Sequence, residues 1–166
     1  MAKFYSQISK ESPIRAVKYY FAYGMNTNFG EMTLRCPGAT PLGPVYIRNY
    51  RLAFRTHADI EPADGQLVHG ALWSITEDCE RSLDMLEGYP YYYTKRDFVV
   101  ESNRPLGRHG NTCFVAMAYQ MVNQTGYAPP GNRYLECLLE GYKDNSVSTA
   151  QIYQALDQAN EYALTL

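Results

Sequence analysis

The order of its predicted elements indicates that the chain forms an α+β domain of about five strands and three or four helices. Segments rich in β-branched and aromatic residues alternate with turn residues, as is typical of strands. The helical segments do not separate successive strands in a regular βαβα order, so a doubly wound parallel sheet is disfavoured. The 166 residues suit one domain with a substantial core. We expect residues 16–166 to form it, with residues 1–15 as a loosely ordered tail.

Five segments have the residue pattern of strands. The first is β-branched and aromatic, and the second alternates apolar and polar side chains. Proline, glycine and aspartate predict irregular chain at 41–44 and a loop at 57–65, and a longer loop at 103–111 connects the last two strands. The predicted strands are 16–22, 46–55, 66–75, 93–101 and 112–122.

Four segments begin near a capping residue or end at a glycine or proline, as helices do. Thr76 and Gly88 bound the second of them, and Gly141 ends the third. Ser148 and Gln151, in capping-box spacing, begin the last. The predicted helices therefore start at Phe29, Thr76, Asn132 and Ser148.

The composition argues against several classes of partner and cofactor. A formal net charge of −2 provides no electrostatic surface for nucleic acid or an anionic membrane, so we expect neither partner. The segment Met1–Lys18 is polar, and no stretch approaches the length of a membrane span. The four cysteines form no paired motif and the three histidines have no ligand spacing, so we expect no metal or cofactor. A cytoplasmic protein with reduced thiols is the expectation, while the oligomeric state is left open.

The chain is unusually rich in tyrosine, with 16 Tyr against 6 Phe and 1 Trp. A tyrosine ring is apolar but carries a polar hydroxyl. So many of them suggest a cavity whose wall is both apolar and hydrogen-bonding. The alternative, favoured for most of these residues, is an aromatic-rich core.

The first candidate site is the junction of the first strand and first helix, Tyr23-Gly24-Met25-Asn26. Its backbone N–H groups near a helix N-terminus could hold a carboxylate or a developing oxyanion. Gly24 allows close approach of a ligand, and Asn26 can cap the helix. The alternative is an ordinary strand–turn–helix corner, because Gly and Asn are common turn residues.

The second candidate is Glu87, at the C-terminal end of the second predicted helix. The helix dipole disfavours a carboxylate there, and Leu83 and Leu86 place it beside the apolar face. Glu87 therefore either extends into solvent or lies in a partly desolvated pocket with a raised pKa. The second environment is what a general base acting on an amine requires. Asp84 is the rival carboxylate, and its position fits a solvent-facing or capping role better.

Tyrosines follow Glu87 in the run Tyr89-Pro90-Tyr91-Tyr92-Tyr93. Alternate members of an extended run point to opposite faces. If Tyr93 faces the same cavity as Glu87, we expect Tyr89 or Tyr91 to line it as well. The alternative is that most of these rings cover the end of a barrel.

Together these segments resemble the γ-glutamylcyclotransferase family. The matching blocks run in family order from Phe21 to Tyr142, and the most specific is the Glu-Gly-Tyr-Pro block after a Gly-x-x-Trp strand. The family usually has serine where Met25 stands. The blocks are Phe21–Asn26, Met32-x-x-Arg35, Pro37–Ala39, Gly70–Trp73, Leu83-Asp84-x-x-Glu87-Gly88-Tyr89-Pro90-x-x-Tyr93-x-Lys95, Ala128–Pro130, Tyr134 and Gly141–Tyr142.

The resemblance implies a small mixed β-barrel flanked by helices, with one open end forming a pocket. It implies an enzyme of glutathione metabolism that cyclises a γ-glutamyl compound to 5-oxoproline and releases an amino acid, peptide or amine. Glu87 would be the general base, the loop from Tyr23 to Asn26 would bind the substrate, and Tyr93 would line the pocket, with Tyr119 and Tyr127 as further members. The substrate supplies the nucleophile, so the reaction needs no cofactor.

Two alternatives to this function remain. One keeps the reaction and changes the substrate to a γ-glutamylamine or a γ-glutamylated biosynthetic intermediate. The other is a non-catalytic small-molecule-binding module on the same scaffold, which Met25 in place of serine favours.

Overall fold

Five strands close into a barrel in the computed structural model, which describes residues 17–166. Their order around the barrel is β1-β3-β2-β4-β5, with antiparallel neighbours except that β5 meets β1 in parallel, Tyr20 beside Met117. The prediction of an α+β fold with a mixed barrel is confirmed. The tail predicted at residues 1–15 lies outside the described residues. The strands are β1 (Lys18–Ala22), β2 (Thr40–Arg55), β3 (His57–Ile75), β4 (Tyr93–Leu106) and β5 (Asn111–Met121).

Four α-helices accompany the barrel within residues 17–166. They are α1 (Phe29–Arg35), α2 (Glu77–Leu86), α3 (Asn132–Asp144) and α4 (Ala150–Ala163), and a short 3-10 turn, Met25–Thr27, precedes α1. None of the helices in this part of the chain is both long and apolar enough to cross a bilayer.

The two faces of β1 contribute to two separate apolar clusters, because successive side chains of a strand point to opposite sides. Phe21, together with Tyr23 directly after the strand, belongs to a cluster that joins the strands to α3 and α4. Tyr20 and Ala22 belong to one that joins the strands to α1 and α2. The chain segment that follows β1 therefore begins at a strand that is packed on both of its faces.

The prediction of a loop at 57–65 is wrong, because β3 begins at His57 and pairs with β2 from the first pair, Arg55 with His57. Thr56, with φ 67°, makes the reversal between the two strands. Arg55 of β2 forms ion pairs with Asp59 (2.7 Å) and Glu61 (2.5 Å) of β3. Acidic residues that resemble loop residues in the sequence are thus stabilised inside the hairpin by a cation on the neighbouring strand.

The prediction of irregular chain at 41–44 is also wrong: these residues are part of β2, where a register shift between Pro41 and Gly43 accommodates the prolines. Strand β4 continues through Leu106 and shortens the predicted loop at 103–111 to a turn. Glycines at 107 and 110 provide its two positive φ angles.

Gly141 lies inside α3 and does not end it. A Cβ at this position would lie 2.3 Å from Thr27 Oγ1 and 2.6 Å from the backbone nitrogen of Asn28. Close approach of the helix to the chain after β1 therefore explains the glycine. The capping box predicted for α4 is absent: Gln151 instead accepts from the backbone N–H of His69 and donates to its carbonyl, both at 2.8 Å.

Candidate functional site

A cavity of about 310 Å³ opens between the end of β1, the beginnings of β3 and β4, and the C-terminal end of α2. This volume lies at the lower end of the range for small-molecule pockets. The structure brings all six predicted site residues into its wall: Tyr23, Gly24, Met25, Asn26, Glu87 and Tyr93.

The other tyrosines named from the sequence divide between the cavity and elsewhere. Tyr119 lines the cavity. Tyr127 does not, because its hydroxyl donates to Glu61 (2.8 Å) in the ion-pair cluster of the β2–β3 hairpin. Tyr89 and Tyr91 also lie outside the wall, and Tyr91 is 88% exposed. The expectation that one of these two lines the cavity is therefore wrong.

Glu87 caps the C-terminal end of α2, and its backbone N–H donates to the Leu83 carbonyl at 2.8 Å. Its side chain lies in the cavity wall, where Asn26 Nδ2 donates to Oε1 at 3.2 Å. Burial raises the pKa of Glu87 to about 7, against smaller lowering effects of the Arg35 cation and the Asn26 hydrogen bond. The carboxyl can therefore exchange a proton near neutral pH.

The orientation of the Asn26 amide is determined by Arg35. Arg35 Nη1 donates to Asn26 Oδ1 at 2.7 Å, so the amide nitrogen faces Glu87 and the hydroxyl of Tyr20 (3.0 Å). Arg35 is itself held by Glu31, four residues earlier on α1, at 2.9 Å. A chain of polar contacts thus connects α1 to the carboxylate at the end of α2.

Tyrosines form much of the remaining wall and are fixed by hydrogen bonds. The Tyr93 hydroxyl donates to the Ala58 carbonyl at 2.8 Å, and the Ala58 N–H donates to the Tyr134 hydroxyl at 3.0 Å. The Tyr23 hydroxyl donates to the backbone carbonyl of Tyr119. Burial raises the pKa of four tyrosine hydroxyls of the wall well above the ordinary value; they belong to Tyr23, Tyr93, Tyr119 and Tyr134. They therefore remain neutral hydrogen-bonding groups.

Asp84 has neither the solvent-facing nor the capping role expected for it. It is half-buried, and its carboxylate accepts from the Tyr119 hydroxyl at 2.7 Å and from Lys95 Nζ at 2.9 Å. It does not line the cavity. Among the described residues of the wall, Glu87 is the only carboxylate.

Several residues of the wall are not among those expected from the sequence. His57 and Ala58 were not expected in the wall because residues 57–65 were predicted to form a loop. Arg35 and Tyr134 were named only as parts of family motifs, and no role was predicted for them. A signal existed for Tyr134, since it shares one face of a helix with Leu138 and Tyr142, which are spaced at intervals of four and are buried. The remaining missed residues of the wall are Tyr20, Leu86 and Tyr92.

Solved structures with this fold include three that match most of the chain. One is a "Gamma-glutamyl cyclotransferase", with 23% identity and a TM-score of 0.69 over 86% of this chain and 88% of that one. Another is an uncharacterized protein from Homo sapiens, with 24% identity and a TM-score of 0.69 over 86% of this chain and 88% of that one. The third is YkqA from Bacillus subtilis, with 19% identity and a TM-score of 0.68 over 89% of this chain and 56% of that one. At these identities the likeness shows the fold.

Sequence comparison identifies the family. No curated protein sequence matches the chain significantly. The family model described as "Gamma-glutamyl cyclotransferase, AIG2-like" matches residues 20–138, which include the loop after β1, Glu87 and Tyr93. Because this match spans most of the chain, the protein belongs to the gamma-glutamyl cyclotransferase, AIG2-like family.

Proposed function

We propose that the protein is an enzyme that cyclises a γ-glutamyl compound to 5-oxoproline and releases an amine, amino acid or peptide. The observation that carries this proposal is the position of Glu87, a carboxyl with a pKa of about 7, in one cavity with the loop Tyr23–Asn26. Membership of the gamma-glutamyl cyclotransferase family supports the class of reaction. The substrate supplies the nucleophile, its own α-amine.

The α-nitrogen of the substrate loses two protons in this reaction. The first goes to solvent when the ammonium becomes a nucleophilic amine, and Glu87 takes the second as the amine attacks the γ-carbonyl carbon and the new C–N bond forms. Glu87 then donates that proton to the leaving nitrogen as the γ-amide bond breaks. The products are 5-oxoproline and a free amine, and Glu87 is ionised again.

The loop after β1 is the proposed binding element for the α-carboxylate or for the oxyanion on the γ-carbonyl. Hydrogen bonds within the 3-10 turn begin at the N–H groups of Thr27 and Asn28, which donate to Gly24 and Met25 carbonyls at 3.0 Å. The N–H groups of Met25 and Asn26 come earlier in the turn and donate neither of these two bonds. A Cβ at Gly24 would lie 3.2 Å from the Tyr134 hydroxyl, so glycine keeps the loop close to the aromatic wall.

The shape of the cavity supplies a second contribution to catalysis. A free γ-glutamyl chain is flexible, and cyclisation requires its α-amine to approach its own γ-carbonyl. Tyr93 and Tyr134 are anchored through the backbone of Ala58, so their rings form a fixed surface against which the chain can fold. Holding the chain in a near-attack conformation removes much of the entropic barrier.

The direct test is incubation of the purified protein with γ-glutamyl dipeptides, γ-glutamyl amines and glutathione, with chromatographic detection of 5-oxoproline. We expect 5-oxoproline and the free leaving group in equal amounts from at least one of them. Turnover of none of these substrates would overturn the proposed function.

The pH dependence of the reaction is expected to reflect the ionisation of Glu87. Because the base must be ionised and its pKa is about 7 in the folded protein, kcat/KM should rise with pH through that value. The α-amine of the substrate contributes a further rise at its own pKa. A profile that stays flat from about pH 5 to about pH 8 would contradict the assignment of Glu87 as base.

Arg35→Met is expected to move the Glu87 limb of this profile to higher pH by about one unit, because loss of a nearby cation raises the pKa of a carboxyl. The limb that belongs to the substrate amine stays in place, so the measurement separates the two. Arg81→Met is the matched control, since Arg81 is an exposed residue of α2 that pairs with Asp78. An unchanged profile in Arg35→Met would contradict the contribution of Arg35.

Met25 supports a second candidate function, binding without catalysis. Its sulfur lies 3.3 Å from Arg35 Nη2, and a thioether cannot donate the hydrogen bond of the serine usual in the family. A small molecule that raises the melting temperature and is recovered unchanged after prolonged incubation, with no 5-oxoproline from the substrate panel, would favour this function over the enzyme.

A further inference from the structure

A second cavity, of about 270 Å³, lies between β2, β3, β4 and the chain that follows α3. It shares no residue with the cavity that contains Glu87. Among the described residues, no acidic side chain lines it, and most of its polar side chains can donate a hydrogen bond. Its polar wall residues are Tyr46, His69, Ser102, Asn103, Arg104 and Ser146.

The rings of Tyr46 and His69 form one fixed side of the second cavity. The two residues are register partners on β2 and β3, and their ring centroids are 5.6 Å apart. The backbone of His69 is held by Gln151 of α4, which accepts from its N–H and donates to its carbonyl, both at 2.8 Å. A wall that is fixed in this way loses little conformational entropy when a ligand binds.

Arg104 gives this wall a positive charge that forms no ion pair with the described part of the chain. The nearest acid along β4, Glu101, is occupied by Arg48, whose Nε and Nη2 donate to it at 2.5 and 3.4 Å. The Ser102 hydroxyl fixes the backbone of Arg104, because it accepts from the N–H at 3.2 Å and donates to the carbonyl at 2.6 Å. Arg104 Nη2 lies 3.7 Å from the position of a Cβ on Gly43, so the guanidinium lies against β2. A guanidinium without a carboxylate partner favours an anionic ligand.

His69 contributes an uncharged hydrogen-bonding group to the same wall. Burial lowers the pKa of its imidazole below the ordinary value, so the ring is neutral at neutral pH and one nitrogen carries a proton. The hydrogen bonds of His69 with other described residues are made by its backbone, which leaves both ring nitrogens open to a ligand. Asn103 and Ser146 add an amide and a hydroxyl at the exposed rim.

We propose that the second cavity binds the phosphate or carboxylate group of a small molecule, with Arg104 as its cation and His69 as a neutral hydrogen-bond donor. A guanidinium presents parallel N–H groups that match two oxygens of either group. The bound anion meets no like charge from the described residues of the wall. The rings of Tyr46 and His69 offer an apolar surface to the rest of the ligand. Such binding is a separate property from the reaction proposed at Glu87.

Nuclear magnetic resonance of the histidine Hε1 protons tests this site, at neutral pH and constant ionic strength. The chain has three histidines. His69 lines the second cavity, His57 lines the cavity of Glu87, and His109 lies in the exposed turn after β4. Inorganic phosphate and acetate are titrated separately. We expect a saturable shift of the His69 resonance, which is identified by its absence from His69→Gln, and no saturable shift of the His109 resonance.

Arg104→Met is expected to raise the Kd of the anion about tenfold or more, the usual effect of losing a hydrogen bond to a charged group. Arg108→Met is the matched control, because Arg108 is exposed in the turn after β4 and lies outside the wall of the second cavity. Its Kd should stay within about twofold of that of the wild type, since salt screens distant surface charges.

Saturation by phosphate alone would assign a phosphate group, and saturation by acetate alone would assign a carboxylate; either result, or saturation by both, supports the site. A shift that grows linearly and equally at all three histidines would reflect ionic screening only and would overturn it. Equal affinities of Arg104→Met and the wild type would also overturn it. A saturable shift confined to His57 would do the same, because it would place the anion in the cavity of Glu87.

Discussion

Glu87→Gln is expected to lower the rate of 5-oxoproline formation by about 10²–10⁴-fold, the usual contribution of a general base. Glutamine keeps the volume of the side chain, and its carbonyl can still accept the hydrogen bond that Asn26 donates at 3.2 Å. It cannot take a proton from the attacking amine. Steady-state kinetics on the best substrate of the panel, with circular dichroism to confirm the fold, measures the effect.

Glu77→Gln is the matched control for this variant. Glu77 lies in the first turn of the same helix, is exposed, and undergoes the same chemical change. We expect its activity to equal that of the wild type. If Glu87→Gln retained full activity as well, Glu87 would no longer be assigned as the base.

Glu87→Gln should also make the protein more stable than the wild type at alkaline pH. The pKa of Glu87 is raised from 4.5 to about 7 by folding, so its contribution to stability is fully present below 4.5 and is lost as the pH rises through about 7. Glutamine does not ionise and shows no such loss. Relative to the wild type, Glu87→Gln should therefore gain about 3 kcal/mol in unfolding free energy between about pH 4 and pH 8. Urea titrations at both pH values measure it, and an equal offset at both would contradict the raised pKa.

Asp59→Ala is expected to lower the free energy of unfolding by about 3–5 kcal/mol, the usual effect of breaking a buried ion pair. Asp59 is 0% exposed, and its carboxylate accepts from Arg55 (2.7 Å), the backbone N–H of Met121 (2.9 Å) and Gln124 (2.9 Å). Alanine leaves all three donors without this acceptor. Urea unfolding followed by fluorescence measures the loss.

Asp64→Ala, an exposed aspartate of the same strand, is the control and should change the free energy of unfolding by less than about 0.5 kcal/mol. We also expect Asp59→Ala to weaken activity, because Ala58, the preceding residue, holds the tyrosines of the cavity through its backbone. Equal stability of the two variants would show that the buried cluster contributes little to folding.

Elements with local signals could be predicted from the sequence. Helix α2 carries its own cap, in which Thr76 accepts from the backbone N–H of Cys79 at 3.2 Å, and its own apolar stripe at Cys79 and Leu83. The prediction that Glu87 and the loop after β1 share one site depended on a different kind of information, the resemblance to a family. Taken alone, Glu87 also fits a solvated carboxylate, and the loop after β1 also fits an ordinary turn.

Features that depend on contacts distant in sequence could not be predicted in the same way. The beginning of β3 contains Asp59 and Glu61, which resemble loop residues until their partners on β2 are known. Nor does local pattern show that Arg35 orients Asn26, because the hydrogen bond depends on how α1 is placed against the preceding turn. Tyr127 illustrates the opposite error: it belongs to a tyrosine-rich sequence but binds Glu61 outside the cavity.

The buried and the exposed residues of the cavity wall differ in how freely they can be substituted. Asn26 and Tyr93 are buried and hydrogen-bonded, so substitutions there disturb both folding and chemistry. Leu86 and Tyr92 bury only about half of their surface, and their replacement has a smaller effect on stability. Two surface positions can therefore change the shape of the cavity entrance while the buried part of its wall stays the same.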